Sequence, residues 1–121
     1  MLFRSSLRGA LVLLNDPSLV DTSIALASRL LKRPAISTPQ RLREIFQIVL
    51  SRPPDETEMS VLTDFFTKEI QHYRNAPQAA TILLESADDF VDTEMVAPVE
   101  LASWTGVARV LLNAHETVTR Q

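Results

Sequence analysis

Hydrophobic residues recur at intervals of three and four along most of the chain, and this spacing gathers them on one face of an α-helix. Alternating runs of β-branched and aromatic residues, which are typical of strands, never continue for more than a few positions. The pattern therefore predicts an all-α fold, a compact bundle of about five helices joined by short loops that contain proline. We expect residues 1–121 to form a single helical domain.

The N-terminal part of the chain predicts two helices. Leu7, Leu11 and Leu14 share one face of the first helix. Asp16 then offers a side-chain acceptor to the free amides of a second helix, and Pro17 fits its first turn because no backbone donor is needed there. The second helix carries a wide apolar stripe as far as about residue 33, so we expect it to lie at the centre of the bundle.

Two more helices are predicted between prolines. Thr38 as the cap, followed by Pro39, opens the third helix, and the two prolines after Arg52 end it because a residue before proline is pushed out of the helical region. Asp55 with Glu58 is an acidic form of the capping box and starts a fourth helix, which runs to about residue 75. The apolar faces are Leu42, Ile45, Phe46 and Val49 in the third helix, and Met59, Leu62, Phe66, Ile70 and Tyr73 in the fourth.

The C-terminal part predicts a short helix within residues 76–86, an acidic loop from Asp88 to Glu94, and a long last helix that begins at Pro98. Gly106 interrupts that last helix. An interior glycine costs a helix roughly 1 kcal/mol relative to alanine, so we expect another backbone to approach closely there. The face of the last helix is Leu101, Trp104, Ala108, Leu111 and His115.

Charge and composition narrow the classes of partner. The chain has 12 Lys and Arg against 15 Asp and Glu, a net charge of -3, which does not favour binding to nucleic acid or to an anionic membrane. No cysteine is present, so disulfides and thiolate chemistry are excluded. The apolar run from Leu11 to Leu14 is too short for a signal sequence or for membrane insertion.

We predict no catalytic, cofactor-binding or metal site. His72 and His115 are the only histidines, and both are interpreted as structural, His72 near a helix end and His115 partly buried at one. The acidic loop lacks the residue spacing and the glycine of a calcium loop. No serine lies in a nucleophile motif and no glycine-rich phosphate loop occurs. The chain is therefore expected not to be an enzyme.

Two groups of side chains are candidates for protein binding. One is a modest positive cluster, with Lys32 and Arg33 upstream of it, that is suited to an acidic partner; an ordinary solvated helix surface is the alternative interpretation. The other is the apolar face at the start of the chain, which we expect to make an isolated fragment self-associate or to leave its helix mobile. The candidate residues are Arg41, Arg43 and Arg52 in the first group, and Leu7, Leu11 and Leu14 in the second.

Several of these segments together resemble a known family. They are Leu14-Asn15-Asp16-Pro17, then Leu50-Ser51-Arg52-Pro53-Pro54 with Glu58, then Trp104 with Arg109, Leu111-Leu112-Asn113 and Glu116. The pattern is similar to the C-terminal part of a planctomycete-specific domain of unknown function, which follows a cytochrome-like module in many large exported proteins. The family usually has an aromatic residue at Ser18, glycine at Ser51 and threonine at Asp55.

The resemblance implies that the chain is a C-terminal fragment of a larger protein in an exported or envelope context, with heme in another part of that protein. No heme-attachment motif occurs here, so no cofactor is predicted. Three functions stay open: a structural or interaction module that docks on the remainder of the parent polypeptide or on another protein, an accessory domain that lends wall residues such as Arg52, Trp104 or Glu116 to an enzyme site formed mostly elsewhere, and a small cytoplasmic regulator that binds partner helices.

Overall fold

The computed structural model describes residues 17–34, 37–85 and 97–119, and these ranges form five α-helices without a strand. The all-α prediction is therefore confirmed. The predicted first helix with Leu7, Leu11 and Leu14 lies outside the described residues, as does the acidic loop from Asp88 to Glu94. The helices are α1 (Pro17–Lys32), α2 (Thr38–Leu50), α3 (Glu56–Asn75), α4 (Pro77–Glu85) and α5 (Pro98–Thr119).

Proline sets most of the helix starts. Pro17, Pro77 and Pro98 are the first residues of α1, α4 and α5, where the missing backbone N–H leaves no donor unsatisfied. In α2 the cap is Ser37, one residue before the predicted Thr38. Its backbone is extended, and its hydroxyl accepts a hydrogen bond from the amide of Gln40 at 3.3 Å. Because the Ser37 hydroxyl accepts the hydrogen bond from this amide, Ser37 is the cap and Thr38 is the first helical residue.

A left-handed serine and a capping box separate α2 from α3. Ser51 ends α2 with φ 61° and ψ 26°, and its amide donates to the carbonyl of Gln47 at 2.9 Å. Asp55 is the N-cap of α3, and its carboxylate accepts a hydrogen bond from the amide of Glu58 at 2.8 Å. The Glu58 carboxylate accepts in return from the Asp55 amide at 2.9 Å. The predicted acidic capping box is confirmed.

Helix α5 lies at the centre of the described bundle, since the other four helices all pack on it. Every residue from Leu101 to Ala108 is buried. The expectation that the helix of residues 17–33 would be central is wrong, because α1 packs chiefly on α5. The hydrophobic core is formed mainly by Leu42, Ile45, Phe46, Leu62, Leu101, Trp104, Val107 and Leu111.

Two polar residues of α5, Ser103 and Thr105, are buried at little cost because each hydroxyl is hydrogen-bonded within its own helix. Ser103 donates to the carbonyl of Val99 at 2.8 Å, and Thr105 donates to the carbonyl of Leu101 at 2.7 Å. Such bonds within one helix turn leave neither of these two hydroxyl groups unpaired in the core. They explain why a helix with polar residues on several sides is buried all round.

The group that approaches α5 closely at Gly106 is a side chain and not another backbone. A Cβ atom added there would collide with the carboxyl group of Glu69 on α3, whose Cδ would lie 2.9 Å away. The prediction of a close approach is confirmed, but the expected approach of another backbone is wrong. The missing side chain at position 106 makes room for a carboxyl group against the central helix.

Candidate functional site

The segment between α2 and α3 is organised around a buried carboxylate. Arg52 donates from Nη1 and Nη2 to the two carboxylate oxygens of Glu58, both at 2.8 Å. The Glu58 side chain is only 1% exposed. The hydrogen bonds from Arg52, followed by that from the Asp55 backbone, hold the pKa of Glu58 below its ordinary value against the opposing effect of burial. This bidentate contact, called here the Arg52–Glu58 pair, is therefore ionised and structural.

The Arg52–Glu58 pair also connects two helices. The guanidinium carbon of Arg52 lies 5.1 Å from the ring centroid of Phe46 on α2, while Glu58 lies in the first turn of α3. Half of the Arg52 side chain stays exposed, at 51%. Its Nη1 and Nη2 atoms are both bound to Glu58, so a partner that approached this edge of the guanidinium group would have to compete with Glu58.

Arg41 is likewise held by the fold. Its guanidinium carbon lies 5.9 Å from the ring centroid of Trp104, and its Nη1 lies 3.8 Å from a carboxylate oxygen of Glu100. Its Nη2 donates to the carbonyl of Arg33 at 3.3 Å. Arg43 is exposed. The three candidate arginines thus do not form one patch, because Arg41 lies near the start of α2 and Arg52 lies beyond its end.

Trp104 lies in the core, as predicted. Its side chain is 1% exposed, and its ring centroid lies 4.5 Å from that of Phe66 at an angle of 39°. Arg41 covers the indole from the α2 side. An indole enclosed between a phenylalanine ring and a guanidinium group stabilises packing and is not available as the wall of an open cleft.

A second group of ionisable side chains lies where α3 meets α5. Burial raises the pKa of Glu69, and the charges of His72 and Arg109 act in the opposite direction. The pKa of Tyr73 is raised by burial and then by the charge of Glu69, while Arg109 opposes the shift. The Nε atom of Arg109 is buried without a hydrogen-bond partner. We call Glu69, Tyr73, Gly106 and Arg109 the α3–α5 polar cluster.

The sequence contained a signal for this cluster that the prediction missed. Glu69 follows Phe66 by three residues and precedes Tyr73 by four, so it lies on the apolar stripe of α3. A carboxyl group in such a stripe needs space on the helix that packs against it. Gly106 provides that space, and only the tertiary packing of α3 on α5 reveals it.

An open groove of about 390 Å³ lies where the starts of α2 and α5 meet α3. Its apolar part comes from α3 and α5, and it has one cation and one anion. Its described lining is Thr38, Phe66, Ile70, Arg74, Ala97, Val99 and Glu100. These side chains include neither a nucleophile paired with a base nor a set of metal ligands.

Both histidines are exposed, and they lie on different helices. His72 lies in the last turn of α3, as predicted, with its ring edge-on to Tyr73 at 4.8 Å. His115 is exposed, so the predicted partly buried position is wrong; the buried face of α5 ends at Ala114. Within residues 17–34, 37–85 and 97–119, no three His, Asp or Glu side chains are grouped to hold a metal ion.

None of the described helices is long and apolar enough to cross a bilayer. A family model for PSD1, a protein of unknown function (DUF1553), matches residues 4–66, just over half of the chain. No curated protein and no solved structure matches the chain significantly. The match confirms the family resemblance predicted from the motifs, while the planctomycete association stays a prediction.

Proposed function

Because the chain belongs to the PSD1 family of proteins of unknown function, we propose from its own structure that it is a non-catalytic helical module that docks on the remainder of a larger polypeptide. The observation that supports this most is the inward use of its distinctive side chains. Arg52 is bound to Glu58 in two places, and Trp104 is buried beneath Arg41. Side chains held in this way stabilise a rigid body, which is what a docking module needs.

The accessory-enzyme alternative is less well supported. It required Trp104 or Arg52 to form the wall of a site, and an exposed indole beside a polar cleft would have favoured it. Trp104 is buried, and the guanidinium group of Arg52 is already engaged. The side chain of Glu116, the third candidate, lies outside the described part of the chain.

The outer face of α2 is the surface that we propose for docking. Arg43, Gln47 and Ile48 are all exposed on it, and Ile48 keeps 46% of its surface accessible. An exposed isoleucine beside a cation combines an apolar anchor with a charge that orients a partner. The whole of α2 lies inside the segment that matches the family. The occupant that we propose is the remainder of the parent polypeptide, the partner that the family resemblance implies.

The test expresses this segment and the remainder of the parent polypeptide as separate chains and measures capture of one by the other, together with any turnover of the full-length parent with and without the segment. A double variant, Arg43→Glu with Ile48→Glu, should weaken this capture. Ile82→Glu on α4 is the matched control, since Ile82 is 66% exposed and lies on another helix. Turnover lost with capture intact would contradict docking and favour the accessory-enzyme role. If the double variant is captured as well as the unaltered segment, the outer face of α2 is excluded as the docking surface.

A further inference from the structure

We propose that the carboxyl group of Glu69 is a proton-controlled contact between α3 and α5, which packs the two helices most tightly when it is neutral and loosens them when it ionises. The inference concerns the inside of the module and does not depend on its docking partner. It rests first on the geometry at Gly106, where the carboxyl group occupies the space that any side chain would fill.

The surroundings of that space favour a neutral group. Gly106 lies in the interior of α5, where backbone N–H groups already donate to carbonyls one turn earlier. They are therefore not available to an ionised carboxylate that lies against the helix. A neutral carboxyl group demands less solvation and has a hydrogen of its own to donate.

The charges around Glu69 come from two helices. His72 lies one turn further along α3, and Arg109 lies one turn beyond Gly106 on α5; both favour the ionised form. Burial has the larger effect, so the pKa of Glu69 is raised above its ordinary value. The other helices packed on α3 contribute no charge that acts on Glu69. Their titratable residues are Glu85 on α4, which is exposed, and Arg41, Arg43 and Glu44 on α2.

The direction of the pH effect follows from this balance. A carboxyl group with a raised pKa in the folded state binds its proton more strongly there than in the unfolded chain. Stability from this contact is then greatest below the ordinary glutamate value of 4.5 and is lost as pH rises towards the raised value. Each unit by which the pKa is raised changes the folded-to-unfolded ratio about tenfold.

Tyr73 provides an independent reporter, because it is the only tyrosine of the chain. The negative charge of Glu69 is one cause of its raised pKa. Neutralising position 69 by Glu69→Gln should therefore lower the pKa of Tyr73, which the tyrosinate absorbance measures directly. An unchanged Tyr73 titration in that variant would mean that the Glu69 carboxylate lies too far from the Tyr73 hydroxyl for its charge to raise that pKa.

The decisive experiment measures amide exchange of α3 and α5 between pH 4.5 and neutral pH, corrected for intrinsic exchange, with an NMR titration of the Glu69 carboxyl carbon. In the unaltered chain, the protection of these amides from exchange should fall as pH rises, about tenfold for each unit by which the pKa of Glu69 is raised. Glu69→Gln should keep the low-pH protection throughout, and the exposed-site control Glu85→Gln should follow the parent chain.

Two results would overturn the proposal. One is the same pH slope of protection in Glu69→Gln as in the parent chain. The other is titration of the Glu69 carboxyl carbon at or below the ordinary glutamate value. The second measurement uses the unaltered chain, so it decides the question even where the variant fails to fold.

Discussion

Replacing Glu58 with alanine removes the acceptor of three hydrogen bonds, two from Arg52 at 2.8 Å and one from the Asp55 amide at 2.9 Å. A hydrogen bond to a buried charged group contributes about 1.5–3 kcal/mol. Arg52 is half exposed and regains water when released, so we reduce its share to about 1 kcal/mol, towards the range of surface pairs. The lost cap adds about 1 kcal/mol. The expected destabilisation by Glu58→Ala is therefore about 2 kcal/mol.

Arg52→Ala should lower the free energy of unfolding by less than Glu58→Ala does, by about 1 kcal/mol, because it exposes Glu58 to water and leaves the capping box intact. The double variant should be no less stable than Glu58→Ala alone, which gives a coupling of about 1 kcal/mol. Urea unfolding followed by fluorescence of the single tryptophan measures all four proteins. Asp64→Ala is the control, because its pair with Lys68 at 3.0 Å is exposed and contributes about 0.5 kcal/mol or less.

The pH dependence of the same cycle has a defined sign. The pKa of Glu58 is lowered in the fold, chiefly by Arg52, so its contribution is fully present above the ordinary value of 4.5. It is lost as pH falls through the lowered value. The stability difference between the parent chain and Glu58→Ala should thus shrink in acid. Additive effects of the two alanine substitutions, or a difference that grows in acid, would refute the role of the Arg52–Glu58 pair.

Three further outcomes are expected. Ser51→Gly should stabilise the chain by about 1 kcal/mol in urea unfolding, because residue 51 is left-handed at φ 61°. Ser51→Ala should change the stability little, and equal effects of the two substitutions would contradict a conformational cause. Gly106→Ala should displace the Glu69 carboxyl group and return its pKa towards the ordinary value in an NMR titration, while a helix-propensity gain of about 1 kcal/mol offsets the stability lost. Tyr73 should ionise above the ordinary tyrosine value, and folding stability should fall as alkaline pH passes through that range; ionisation at the ordinary value would show that the ring is solvated.

The helix ends were predictable because their causes are local. The capping box of Asp55 and Glu58 needs only residues three positions apart, and the prolines at 17 and 98 act on their own helix turns. The one error of this kind, Thr38 in place of Ser37 as the cap, is a shift by a single residue. Local chemistry therefore determines where these helices begin and end.

The position of each helix in the bundle was less predictable, because it depends on contacts between distant residues. Ser103 and Thr105 are polar residues of α5, yet each hydroxyl is hydrogen-bonded within its own helix and each residue lies in the core. The neighbour of Gly106 could not be identified as Glu69 without the packing of α3 on α5. The polar cluster was missed for the same reason: each member has an ordinary place in its own helix.

Accessibility of Trp104 is the most direct measurement of the central claim, that the distinctive side chains of this module face inward. The chain has one tryptophan, so fluorescence quenching by a small neutral quencher reports on that side chain alone. An indole that is 1% exposed and covered by Phe66 and Arg41 should be strongly protected, with the protection lost on unfolding in urea. Quenching of the folded chain as efficient as that of the unfolded chain would contradict the claim and place Trp104 in an open site.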